Sequence, residues 1–334
     1  MILRKSFRKQ KNIPIRSRKL FYGVLQQKKK DDFLMKSIKK HLEFIEREHF
    51  DIESGTPFNH LGKDNTWNRG FNYPWFGVYF KEWYILTGDV EYLRRAALCL
   101  IGYYKVSDLK YDGQVCEPYD LIELLEKENM HEYADEIRKN LIKVADSYLN
   151  KGITSVAGEC AYVQECPNNR CVYASQAYLV SGKEEYLEEA RLQFNMSTAF
   201  FACQPDFHMN SIAVRYWDRY WFGKTRQYGD LYPHHWSALM GWTLAWYSRA
   251  SGEDCKKTVW EILKNNLCVY RKDGSAANNY LYPYKLTMYA TDENHNDEYR
   301  PTGEYYGKNY DEWSNDQDWA LFFADFFLNR GFEL

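Results

Sequence analysis

Three observations in the sequence predict an all-α fold: helical periodicity over most of the chain, a recurring glycine-ended junction, and almost no strand-like alternation. Over 31–50, Phe33, Leu34, Ile38, Leu42 and Ile45 share one stripe, with charges elsewhere. Similar patterns cover 72–87, 90–105, 117–128, 131–150, 169–181, 184–204, 234–250, 255–271 and 316–329. Alternation is confined to short stretches near 277–290.

The junction is legible in three segments: EWYILTGDVEYLRRA, QAYLVSGKEEYLEEA and LAWYSRASGEDCKKTV. Each is an aromatic-rich helix, then Thr-Gly or Ser-Gly, then a charged helix start. Gly88, Gly182 and Gly252 suit the left-handed position that ends a helix. Acidic residues just after them suit the positive start of the next helix. LLEKENMHEYADEI is a weaker fourth copy. Such units are helical hairpins packed side by side.

Hairpins of this kind build either an open solenoid or a closed ring. The spacing is irregular, 94 residues from Gly88 to Gly182 and 70 from Gly182 to Gly252. Long aromatic-rich connections fall at 51–70, 105–117, 204–233 and 272–315, and connections that long are usually functional. A solenoid keeps a stricter period, so the expected architecture is an (α/α)6 toroid. It should occupy 31–334 as one domain, preceded by a basic arm over 1–30.

That arm carries much of the basic charge. Residues 1–40 hold 14 of the 44 Lys and Arg but only Asp31 and Asp32 among the 46 acids. The rest of the chain is therefore acidic, which argues against nucleic acid as a partner. No signal-peptide-like apolar run follows the first basic residues, and no stretch approaches a membrane span. The expectation is a cytoplasmic protein with its eight cysteines reduced.

Aromatic residues make up 18% of the chain, with 11 Trp and 29 Tyr. Rings with a polar edge are favoured where one side stays wet, as in a ligand cleft, and they suit the flat C–H faces of sugars. The densest block is 204–237, QPDFHMNSIAVRYWDRYWFGKTRQYGDLYPHHWS. His208, Arg215, Trp217, Tyr220, Trp221, Lys224, His234, His235 and Trp236 are its candidate substrate-binding residues. Glycoside cleavage needs a proton donor and a second carboxylate, and Asp218 with Asp230 is the local pair. Arg215 and Arg219 beside Asp218 favour its ionised form, as a base requires. The plainer reading makes Asp218 an ion-pair partner and Asp230 a cap for a helix after Pro233.

Two further groups carry carboxylates. GECAYVQEC places Glu159, Tyr162, Gln164 and Glu165 ahead of the helix that ends at Gly182. They either reach the same cavity or form a polar helix entry, with Glu165 near the positive end of the dipole. Glu117 stands at a comparable helix start. In the C-terminal SNDQDWAL, capping accounts for Ser314 and the early acids. The cationic side chains among the aromatics point to an acidic sugar as substrate. No zinc-type cysteine pair, i, i+4 histidine pair, phosphate-binding glycine loop or GxSxG motif is present, so no metal or cofactor is expected.

The 204–237 block, with AYVQEC and AYLVSGKEEYL before it and SNDQDWAL after it, resembles the six-hairpin glycosidases. Within these it is similar to glycoside hydrolase family 154, for which β-glucuronidase activity is described. The resemblance covers roughly 70–330. It implies an (α/α)6 toroid and an exo-acting hydrolase that removes a terminal, β-linked uronic acid. Onto this chain it carries Asp218 and Asp230, His234 and Trp236, and Tyr162 with Gln164. The chain departs from that pattern at Cys166, Pro167, Asn168, Asn169 and Arg170, which puts the helix start there in doubt.

Three other readings stay open, one of them a sugar epimerase on the same fold. A polysaccharide lyase on the same ring would abstract the proton α to the uronate carboxylate, drawing on Tyr220, Tyr232, His208, His234 and Asn210. A non-catalytic helical scaffold that binds glycan or protein would need none of these carboxylates.

Overall fold

A computed structural model describes residues 32–66, 68–107, 116–149, 165–198, 220–221, 225–227, 230–234, 237–270, 272, 279–282, 285–290, 300–306, 309–311 and 322–323. Helix α1 spans Asp32–Glu48, and the short hairpin of β1 (Phe50–Asp51) and β2 (Thr56–Pro57) follows it. Four helical hairpins come next. They pair α2 (Asn72–Thr87) with α3 (Val90–Ser107), α4 (Pro118–Lys127) with α5 (His131–Leu149), α6 (Glu165–Ser181) with α7 (Glu184–Thr198), and α8 (Ser237–Ser251) with α9 (Lys256–Asn265). Residues 322–323 are again helical. The result is the all-α ring of hairpins that the junctions predict.

Burial divides the helices into two layers. Residues 72–84 of α2, 167–177 of α6 and 238–247 of α8 are buried without a break, so these helices have neighbours all round. Helices α3, α5, α7 and α9 bury one side only and form the outer layer. The turns from inner to outer helix are the glycine junctions. Gly88, Gly182 and Gly252 have φ of +73°, +68° and +74°, and each donates its N–H to the carbonyl four residues back. In the α4–α5 hairpin Asn129 takes the same role at φ +60°.

The expected boundaries shift where local chemistry overrides periodicity. Phe33 belongs to the predicted stripe but is 79% exposed, whereas Ile38, Leu42 and Ile45 are buried. Helix α6 begins at Glu165 and runs through Cys166–Arg170, because a proline in a first turn forfeits no helical hydrogen bond. Helix α9 gives way to a 3₁₀ turn at Asn266–Val269 instead of running to 271. Helix α8 starts at Ser237, not 234. Of the expected 316–329 helix, the described residues are 322–323.

The larger correction concerns the connections at 204–233 and 272–315. Where described, they hold strands: β3 (Tyr220–Trp221), β4 (Thr225–Gln227), β5 (Asp230–His234), β6 (Asn279–Tyr282), β7 (Lys285–Ala290), β8 (Arg300–Tyr306) and β9 (Asn309–Asp311). They form a four-stranded sheet, β3-β4-β7-β8, and a three-stranded sheet, β5-β6-β9. Both join chain from the two aromatic-rich connections, pairing residues about 45 to 65 positions apart. Aromatic and β-branched residues favour a pleated surface, and pairing satisfies backbone groups that a long loop leaves open. No helix among the described residues is long and apolar enough to cross a membrane.

The β1–β2 hairpin packs on the ring through Phe50 against Phe76 and Phe80, and it makes one very close backbone approach. Gly55 sits at φ +68° against α3, and an added Cβ would lie 2.3 Å from Leu98 Cβ. Neither a positive φ nor that contact suits a side chain. Gly55→Ala should lower the unfolding free energy by about 2–4 kcal/mol, read by chemical denaturation. A loss below about 0.5 kcal/mol would show that the hairpin yields freely.

Candidate active site

Chain connectivity gathers the long connections at one end of the ring. Every short turn joins an inner helix to its outer partner, and every long connection joins an outer helix to the next inner one. The long connections therefore begin and end on the face that carries the N-termini of α2, α4, α6 and α8. Helix N-termini present unpaired N–H groups and partial positive charge, which favours anionic groups there.

Strand β5 lies on the edge of its sheet and ends three residues before α8 starts. Its pairing with β6 runs Asp230 to Tyr282 and Leu231 to Leu281, then jumps to His234 opposite Asn279. That irregularity puts Tyr232 and Pro233 in a bulge. Proline has no N–H for the ladder and is tolerated at edges and bulges, which explains the break. Bulges re-aim side chains and occur often beside active sites.

Beneath this face the inner helices turn polar and aromatic stripes toward the ring axis. On α8, Trp242, Trp246 and Arg249 fall at i, i+4 and i+7. Arg249 lies 4.6 Å over the Tyr119 ring and 5.4 Å over Trp246, and the two rings meet edge to face at 6.1 Å. Arg249 Nη1 donates to Asp120 Oδ1 at 3.2 Å. Trp242 packs against Phe323 with centroids 5.9 Å apart. Since α4 and α8 belong to hairpins separated by that of α6 and α7, these contacts cross the centre of the ring.

The first turn of α4 is a hub for all four inner helices. Lys81 of α2 bonds Glu117 and lies 3.8 Å from Glu82 and 3.9 Å from Asp120. Gln176 of α6 accepts the Tyr119 N–H at 3.0 Å and donates to the Cys116 carbonyl at 3.1 Å. Helix α4 has 10 residues against 16 in α2 and 17 in α6, so its start meets the C-terminal halves of its neighbours. A cavity no larger than a water lies beside the hub, lined by Gly77, Lys81, Cys116 and Glu117 among others.

Burial rules some nearby groups out of acid–base work. Desolvation raises the Tyr104 and Tyr173 hydroxyls well above the ordinary tyrosine range, so neither serves as a base near neutral pH. Burial likewise pushes the Cys116 thiol up to about 12, which keeps it protonated and unreactive. Arg170 is buried with its guanidinium 5.5 Å over the Tyr148 ring, facing the outer layer. Among the described residues, Cys99, Cys116, Cys171 and Cys255 are free thiols. Among the described residues no group of three or more His, Cys, Asp or Glu is placed to hold a metal ion.

The candidate residues read from sequence divide as follows. Tyr220 and Trp221 form β3, and Asp230 and His234 open and close β5, on the face just defined. Asp230 is thus a strand residue, not a helix cap, because α8 begins only at Ser237. His234 likewise ends a strand rather than starting a helix. Glu165 is the first residue of α6, the position a polar helix entry implies. Glu117 is buried in the hub. Glu159, Tyr162, Gln164, His208, Asn210, Arg215, Trp217, Asp218, Lys224, His235 and Trp236 lie outside the described residues.

Sequence reading missed the axial stripe and the hub. Helix α8 is apolar on nearly every side, so a search for an amphipathic face finds none. The signal was the Trp-Trp-Arg spacing itself and, in α2, adjacent Lys81 and Glu82 inside an otherwise apolar run.

No protein-family model matches the chain, and no curated protein matches it in sequence. Solved structures do match. A polysaccharide lyase superposes with a TM-score of 0.77 at 27% identity, over 95% of this chain and 45% of its own. A sugar epimerase from a ruminal bacterium gives 0.53 at 16% identity, over 96% of this chain and 88% of its own. A glycosyl hydrolase of family 88 from Bacteroides vulgatus gives 0.55 at 11% identity, over 97% and 94%. The fold is the (α/α)6 toroid of the six-hairpin glycosidases. At these identities the epimerase and hydrolase bear on fold alone, and the narrower resemblance to family 154 is not what these likenesses show. The chain spans less than half the length of the lyase.

Proposed function

We propose that this chain is the helical-toroid part of a glycan-processing enzyme that cleaves uronate-bearing polysaccharides by β-elimination. The observation that carries the reading is the likeness to a polysaccharide lyase over nearly the whole chain, well above the other two in identity and superposition. The structure supports it in kind. Strand β5 brings a tyrosine and a histidine to a bulged edge at the start of α8, on the face that favours anions.

In the proposed step a base takes the C5 proton of the uronate. The freed electron pair forms the C4–C5 double bond, the C4–O4 bond breaks, and the leaving oxygen takes up a proton. Tyr232 is the proposed base. His234 and the cationic residues of the 204–237 block offset the carboxylate charge that grows as C5 loses its proton. Pulling a proton from carbon is the hard part, and that charge compensation is what makes it feasible.

Hydrolysis is the second reading, favoured by Asp230 at the head of the same strand with Asp218 upstream. The products separate the two. Incubation with a uronate-containing polysaccharide should release fragments that absorb in the ultraviolet through the new conjugated alkene. New reducing ends without that absorbance would replace elimination by hydrolysis.

A further inference from the structure

We propose that Arg69 binds a uronate carboxylate of the substrate at the rim of the ring, as a specificity-determining residue. The inference rests on the glycan-processing reading and gives it a recognition contact in addition to the residues of β5. Arg69 stands three residues before α2, on the face where the long connections gather. Its guanidinium sits 5.3 Å over the Trp75 ring and 5.7 Å over Phe71.

The missing counter-ion sets Arg69 apart from the other stacked arginines. Arg47, Arg95 and Arg249 also lie over rings, and each pairs with a carboxylate, Glu48, Glu46 and Asp120 respectively. Among the described residues no group accepts a hydrogen bond from the Arg69 guanidinium or pairs with its charge. A guanidinium offers five N–H donors in one plane, and two of them match the oxygens of a carboxylate. The rings restrain the side chain beforehand, which lowers the entropy lost when a ligand binds.

The backbone that carries Arg69 is braced. Asn72 donates its side-chain N–H to Asn59 Oδ1 at 3.1 Å, Asn65 donates to the Pro57 carbonyl at 3.2 Å, and the Arg69 carbonyl accepts the Asn72 N–H at 3.0 Å. Helix geometry sets the direction. Tyr73 faces the outer layer, since a Cβ on Gly102 of α3 would lie 2.8 Å from its ring. Trp75 is two residues on, about 200° around the helix, and so faces away from α3. On its flanks Lys81 bonds Glu117 of α4 and Tyr79 bonds His41 of α1. The Trp75 side therefore looks to the ring axis, with Arg69 over it. Arg69 is partly exposed, so a carboxylate reaches it without any opening of the fold.

The test compares Arg69→Met and Arg69→Lys in the full chain, with Arg47→Met as the control for lost positive charge. The probes are hyaluronan, alginate and polygalacturonate, each also in a carboxyl-reduced, neutral form. Affinity is read by retardation in gels that hold the polymer, and folding by circular dichroism. Arg69→Met should weaken binding of the acidic polymer about tenfold and leave the reduced form unchanged. Arg69→Lys should lose less, because an ammonium keeps the charge without the two-pronged contact. Arg47→Met should change neither. Unchanged affinity in both Arg69 variants overturns the proposal, and Arg69→Lys alone is read by the same rule if Arg69→Met does not fold. Equal losses on acidic and reduced polymers, or an equal loss in Arg47→Met, also overturn it, as does a wild-type chain that binds none of the acidic polymers. Arg69-dependent binding without any cleavage product keeps the carboxylate contact and removes the cleavage reading of function.

Discussion

Lys81→Met should cost about 3–5 kcal/mol of unfolding free energy, among the largest losses from any single substitution in this chain. The Lys81 and Glu117 side chains are 3% and 1% exposed, and Glu82 is buried beside them at 3%. With the ammonium gone, the buried Glu82 and Glu117 lose the counter-charge they share, with Asp120 close by. The pair as a whole is worth far less than its rupture costs, since both charges were taken out of water to make it. Lys81→Met combined with Glu117→Leu should therefore recover most of the loss. Denaturant titration of the two variants checks this, and a single-variant loss under about 1 kcal/mol would mean that water reaches the pair. The effect extends beyond stability because Glu117 opens α4. Loosening that turn also loosens the seats of Gln176 and Arg249.

The ring was legible because its determinants are local. Gly88, Gly182 and Gly252 end helices through their own φ angles, and the charged starts that follow complement the next dipole. Those signals survive without knowledge of any partner. Strands β6 and β7 fall on the alternation near 277–290, but the other strands of 220–311 were not legible, for the opposite reason. β4 pairs with β7 and β5 with β6 across long stretches of chain, and short strands gain their stability from such partners rather than from their own pattern. The aromatic block was read as loop, because its Tyr and Trp residues fit a half-buried strand as well as a loop wall. The axial residues were hidden by the fold itself. An inner helix buried on every side loses the amphipathic contrast that marks a face, so Trp242 and Lys81 vanish into an apolar average. Their roles emerge only when the ring closes and gives one side of each helix a common centre.

Tyr232→Phe should reduce kcat on a uronate-containing polysaccharide by about 10²–10⁴-fold, the range for loss of a general base. KM should change little, because a phenyl ring preserves the stacking surface and only the reacting oxygen is lost. Asp230→Asn on the same strand should reduce kcat by less than about tenfold, since elimination needs no carboxylate at the reacting carbon. The comparison is informative because the two residues are neighbours in β5: a change in strand pairing would affect both alike, whereas the reaction class affects only one. A large loss in Asp230→Asn with Tyr232→Phe near wild type would transfer the chemistry to the carboxylates and make hydrolysis the reading of this site. The bulge sharpens the expectation further. Pro233 sits in the irregular step of the β5–β6 pairing, so Pro233→Ala removes the residue that keeps a ladder bond from forming there. If the bulge is what aims Tyr232, that substitution should also lower kcat while circular dichroism and the unfolding midpoint stay near wild type, separating the aim of the base from its chemistry.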